Sequence, residues 1–187
     1  MKNLHGFYLI FALWLVVDSC TIYKKELDNP VDHKANDEQG IGSPTLVFYP
    51  KSQTKSLSDS VLIESFIVFK PDSMEPFAGV HLQIEFPNSF LELDTIKPGL
   101  FITDTSKATP LFTYSYDGEN IIDIYTFFID TVKYNIQGTG HIADLVFTPF
   151  NTGTDSIRYN LKFCEMIDYN DNIIDLNGDR AAEVIIQ

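Results

Sequence analysis

The sequence holds few of the residues on which chemistry is usually built. Its 187 positions include two cysteines, four histidines and one tryptophan. Two cysteines make no disulfide framework. Bases are scarce too, with 13 Lys and Arg against 26 Asp and Glu and a formal net charge of -13. Such a surface repels nucleic-acid phosphates and anionic headgroups, which argues against both as partners. No Gly-x-Ser-x-Gly, His-Glu-x-x-His, Cys-x-x-Cys or phosphate-loop pattern occurs. His5 sits in an apolar leader, His33 in a polar stretch, and His81 and His141 on separate strand-like segments. A histidine-centred catalytic or metal site is therefore not expected, nor any cofactor. Carboxylates are plentiful, but their spacing singles out no glycosidase pair. The leading apolar run, Leu4 to Val17, is 14 residues with His5 inside it. A spanning helix needs about 20.

That run suits the core of a secretory signal, preceded as it is by Met1-Lys2-Asn3. It ends in Val16-Val17-Asp18-Ser19-Cys20. A small residue before a cysteine at this place resembles a bacterial lipoprotein signal, which implies loss of residues 1–19 and a lipid on Cys20. Asp18 departs from the small or apolar residue usual there, and ordinary signal-peptidase cleavage after Ser19 is the alternative. Residues 21–43 are polar and aperiodic, ending in Gly40, Gly42 and Ser43, and read as a flexible tether. The expected organisation is a signal (1–19), a lipidated cysteine and tether (20–43), and one domain (44–187). The product would be exported and membrane-bound through its lipid only, or else secreted. Cys164, in an apolar segment, reads as a small buried residue rather than a nucleophile.

From Thr45 onward the chain is short apolar or alternating runs rich in Val, Ile, Phe, Tyr and Thr, separated by Pro and Gly. Candidate strands are TLVFY, SVLIESFIVF, FAGVHLQIEF, FLELDTI, LFTYSY, NIIDIYTFFI, HIADLVFTPF, SIRYNLKF, NIID and EVIIQ. No window shows helical spacing over three turns. The fold class is all-β, a two-sheet sandwich or jelly roll. In FAGVHLQIEF, Ala78, Val80, Leu82, Ile84 and Phe86 share the core side, and His81, Gln83 and Glu85 the other. In NIIDIYTFFID, Ile122, Ile124, Thr126 and Phe128 oppose Asp123, Tyr125, Phe127 and Ile129. That second side is too apolar for bare solvent. It is either covered within the domain or part of a sticky outer sheet.

Taken in order, these segments resemble the cohesin domain family. PTLVFYPKSQTKSLSDSVLIESFIVF is similar to its opening strands, and FAGVHLQIEFPNSFLELDTIKPGLF to the strand, turn, apolar pair and Pro-Gly that follow. GTGHIADLVFTPFNTGTDSI is similar to the Gly-x-Gly strand and its glycine turn, and DNIIDLNGDRAAEVIIQ to a closing hairpin. The resemblance spans about residues 44–187 and implies a non-enzymatic jelly roll of about nine strands that docks a dockerin domain through one outer sheet. Gly138 and Gly140 would let the chain turn sharply into its strand, by positive φ or a bulge. A strand follows them rather than the helix a phosphate loop requires.

The expected partner face holds His81, Gln83 and Glu85 with Asp123, Tyr125 and Phe127, and Asp144 on the Gly-x-Gly strand as a further member. A protein partner, dockerin-like or other, is expected. The alternatives are a carbohydrate-binding module holding a polysaccharide, which disfavours itself by the lack of tryptophan beyond Trp14, and a structural cell-surface protein. In the tail, Asp175, Asn177 and Asp179 match the first positions of a calcium loop, but Arg180 and Ile186 occupy its glycine and glutamate positions. A hairpin turn at Asn177-Gly178 is the expectation there, with an irregular calcium site at Asp168, Asn170 or Asp171 as the alternative.

Overall fold

The computed structural model of the chain describes residues 29–71, 76–103, 110–129 and 138–187. The expected signal, Cys20 and the first part of the expected tether lie outside the described residues. Twelve strands are described: β1 (Thr45–Tyr49), β2 (Ser52–Lys55), β3 (Val61–Val68), β4 (Gly79–Glu85), β5 (Leu91–Pro98), β6 (Pro110–Tyr116), β7 (Ile121–Phe128), β8 (Gly140–Pro149), β9 (Gly153–Tyr159), β10 (Glu165–Ile167), β11 (Asp179–Arg180) and β12 (Ala182–Ile186). Short helices α1 (His33–Glu38) and α2 (Leu100–Thr103) flank them, and a 3-10 turn spans Leu161–Phe163. One sheet runs β11–β1–β3–β8–β5; the other runs β2–β12–β9–β4–β7–β6, with β10 on β4.

The inner faces bury one another, following strict alternation in β4 and β7. β4 contributes Val80, Leu82 and Ile84, β7 contributes Ile122, Ile124 and Phe128, and β8 contributes Ile142, Leu145 and Phe147, all in one core. The sheets are also joined by a polar contact. Tyr159 of β9 stacks on Phe48 of β1, centroids 4.0 Å apart and planes 2° apart. Its hydroxyl donates to Val47 O at 3.0 Å and lies 2.8 Å from Ser65 Oγ, both on the facing sheet. This satisfies Ser65, which is fully buried.

The two glycines ahead of β8 have different reasons. Gly138 has φ +107°, a conformation L side chains rarely adopt. Gly140 instead makes room, because a Cβ there would lie 2.0 Å from the Phe101 ring. Gly140→Ala is therefore expected to cost about 1–3 kcal/mol by overpacking, read as a lower midpoint in urea at unchanged m-value.

Three expectations need correction. Residues 29–43 are not free tether. Asp32 caps α1 by accepting from the Lys34 amide at 2.9 Å, Ala35 and Asn36 are buried, and Arg180 Nη1 donates to Asn36 Oδ1 at 3.2 Å. Lys70 and Asp37 add an ion pair of 2.7 Å. A good N-cap and a few tertiary contacts hold six residues, five of them polar, that show no apolar periodicity. Nor is there a closing hairpin at Asn177-Gly178. β11 runs parallel to β1, and β12 pairs with β9 and β2. The Asn177 side chain donates to Ser43 O at 2.7 Å, tying the tail to the start of the domain. NIID contributes a single bridge, Ile167 with Ile173, rather than a strand.

Candidate functional site

Strand register turns the outer face of β4 and β7 into rows. Leu111, Phe127, Gly79 and Ile167 lie side by side across β6, β7, β4 and β10. The next row is Thr113, Tyr125, His81 and Glu165; the one after is Ser115, Asp123 and Gln83. At the far end Glu85 pairs with Arg158 of β9. The face thus grades from apolar through polar to charged along the strands. Phe127 lies flat over Gly79, where a Cβ would meet its ring at 2.2 Å. The row is smooth because Gly79 has no side chain.

The middle rows form a hydrogen-bonded ladder. The His81 ring stacks on Tyr125, centroids 4.4 Å apart and planes 3° apart. His81 Nε2 is 2.8 Å from Asp123 Oδ1, which also accepts from Gln83 Nε2 at 3.1 Å. Gln83 Oε1 in turn accepts from Asn160 Nδ2 at 2.9 Å. Glu85 accepts from Asn120 at 3.3 Å. His81 and Asp123 keep about a fifth of their side-chain surface exposed, 21% and 22%. These groups are fixed in place and still reachable, a preorganised surface that loses little side-chain entropy on binding. The face is half-buried by its own neighbours, which resolves why Asp123, Tyr125 and Phe127 can be so apolar a set.

Asp144 does not belong to this face. It lies on β8 in the other sheet, opposite Glu64 of β3 and Lys97 of β5. Asn160, absent from the sequence reading, does belong; it follows β9 and donates to the β4 ladder. The only signal for it is its place at the end of SIRYN, which alternation does not resolve.

Cys164 borders β4 from behind. Its Sγ accepts from the Gln83 amide at 3.4 Å and donates to Gln83 O at 3.6 Å. Burial pushes the thiol up to about 11, so it carries little thiolate at neutral pH. In the tail, Asp168 is tied into its own turn, its backbone carbonyl accepting from the Asp171 amide at 3.3 Å. Its carboxylate accepts from the Asn172 side chain and from the Asn172 and Asn170 amides, which hold it below the usual range. Asp179, on the core side of β11 opposite Leu46, is raised by burial. A folded carboxyl raised above 3.8 binds its proton more tightly than the unfolded one, so stability falls as pH rises through that window and stays lower at neutral pH. Asp179→Asn is expected to melt higher than the parent at pH 7, with the difference vanishing below pH 3.8 in a pH series of thermal melts.

No protein-family model matches the chain, and no curated protein matches it. Solved structures do. The cohesin of the Coh-OlpC–Doc435 type I cohesin–dockerin complex of Clostridium thermocellum superposes with a TM-score of 0.60 at 17% identity, over 76% of this chain and 92% of that one. CaCohA2 of Clostridium acetobutylicum gives 0.59 at 18% identity, over 76% and 91%. A type II cohesin domain from the cellulosome of Acetivibrio cellulolyticus gives 0.59 at 12%, over 75% and 94%. The chain has the cohesin-like jelly-roll fold.

Proposed function

We propose that this chain is a non-enzymatic, extracytoplasmic binding module that docks a protein partner, dockerin-like or other, on the outer face of β4 and β7, and that a lipid on Cys20 holds it at a membrane. The observation that carries the reading is the ladder His81–Asp123–Gln83–Asn160 beside the apolar row of Leu111, Phe127 and Ile167. A rigid polar centre bordered by one exposed and two half-buried apolar side chains fits the anatomy of a protein-docking patch. The cohesin-like fold supports it, since solved neighbours include cohesin–dockerin complexes.

The test is a pull-down with residues 21–187 from the envelope and secreted fractions of the source cells, with calcium present or chelated. Retention of a specific protein, lost when Tyr125 is replaced by alanine, supports docking. Retention of polysaccharide with no protein would move the assignment to a carbohydrate-binding module. Labelling with palmitate reports separately on Cys20.

A further inference from the structure

The outer face of the other sheet carries a second cluster, distinct from the docking face. β8 and β3 fall out of simple register between Ser65 and Phe66: Ala143 pairs with Ser65 and His141 with Phe66, leaving Ile142 extra. This bulge turns both Ile142 and Ala143 into the core. It therefore puts His141 and Asp144, three residues apart, on the same outer side, where an unbulged strand would oppose them. Glu64 lies directly across from Asp144. One nitrogen of His141 and one carboxylate oxygen each of Glu64 and Asp144 lie within 4.8 Å of one another.

Three features make this more than a charged surface. Like charges directly opposite on neighbouring strands repel, so Glu64 and Asp144 are unfavourable together unless a cation stands between them. The His141 ring is fixed from one side by stacking on Phe66, centroids 4.9 Å apart. Its backbone is fixed from the other: Gly99 N donates to Ile142 O at 2.8 Å, and a Cβ on Gly99 would lie 2.3 Å from His141 O. Finally, His141 Nε2 is buried and lacks a hydrogen-bond partner, although it is 2.9 Å from Asp144 Oδ1. The contact is off the line a hydrogen bond needs, and the nitrogen is left with unused bonding capacity.

We infer that Glu64, His141 and Asp144 form a binding site for a divalent first-row transition metal, of which Zn²⁺ is the best fit. Bonds of about 2.0–2.2 Å to one imidazole and two carboxylates suit Zn²⁺, with water completing the tetrahedron. Calcium and magnesium take all-oxygen shells and gain nothing from the imidazole. Small side-chain rotations draw the ligand atoms together on binding. Lys97, exposed and opposite Asp144, opposes the metal electrostatically.

The experiment is a titration of the full chain, in a Cys20→Ser background and freed of metal by chelation, with Zn²⁺ by calorimetry and with Co²⁺ by visible absorption. One equivalent should bind and raise the melting temperature. Excess Ca²⁺ should not displace it. His141→Gln, Glu64→Gln and Asp144→Asn should each weaken binding at least about 10-fold, and Lys97→Gln should tighten it. Melting of each metal-free variant near the parent confirms that the fold is intact. A titration without a stoichiometric step, an affinity unmoved by these substitutions, or equal competition by Ca²⁺ would overturn the assignment.

Discussion

Tyr159→Ala is expected to destabilise the domain by about 3–5 kcal/mol, a large share of the roughly 5–15 kcal/mol that typically holds a domain folded. The substitution removes the ring stacked on Phe48, opens a cavity between the sheets, and strands the buried Ser65 hydroxyl. Tyr159→Phe separates these contributions. It keeps the stack and loses only the hydroxyl contacts to Val47 and Ser65, for about 1–3 kcal/mol. Urea melts of the two variants against the parent read both values. If Tyr159→Ala cost no more than Tyr159→Phe, the ring would not be the element that joins the sheets.

On the other face, Tyr125→Ala is expected to abolish partner capture while leaving the melting temperature within a few degrees of the parent. Tyr125 is only half-buried, and the ring it supports, His81, stays tied to Asp123. A central aromatic lost from a docking patch costs about 2 kcal/mol or more of binding, roughly 30-fold in affinity. Phe127→Ala should act on both properties, because the ring also covers Gly79. Collapse of the fold on Tyr125→Ala would make that ring part of the core and remove the face as a candidate. Unchanged capture would place the partner elsewhere.

Which parts of this structure could be read in advance follows from where the chain keeps a strict two-residue period. From Val80 to Phe86 and from Ile121 to Phe128 the chain alternates and burial follows, with Val80, Leu82 and Ile84 in and His81 and Gln83 out. Ahead of Gly79 the phase is lost, with Phe77 fully buried and Ala78, expected in the core, only half-buried. His81, Gln83 and Asp123 share an outward side for the same reason, whereas Asn160 carries no such signal. HIADLVFTPF looks equally regular, yet Ile142 is an extra residue, and every assignment on one side of it is shifted by one. The bulge sets which side of β8 Asp144 faces; that β8 lies between β3 and β5 is topology, which no alternation reveals. So Asp144, expected with Tyr125 from the family resemblance, lies instead with Glu64 and His141 on the opposite sheet. β2, with the sequence SQTK, and the two-residue β11 carry no apolar pattern at all. They are strands because neighbours offer them hydrogen bonds, and only the folded chain supplies the neighbours. The same holds for α1, whose helix rests on a cap and on contacts with Arg180 and Lys70.

The order of assembly is constrained by the pairings at the two ends of the domain. β1 pairs early with β3, but its other edge is filled by Asp179 and Arg180, and Ser52 of β2 pairs with Glu183, so both sheets are complete only with β11 and β12 in place. Closing loops of that length makes folding slow, on the order of milliseconds to seconds. A chain growing from the ribosome cannot complete this sandwich until its final strand, β12, has emerged.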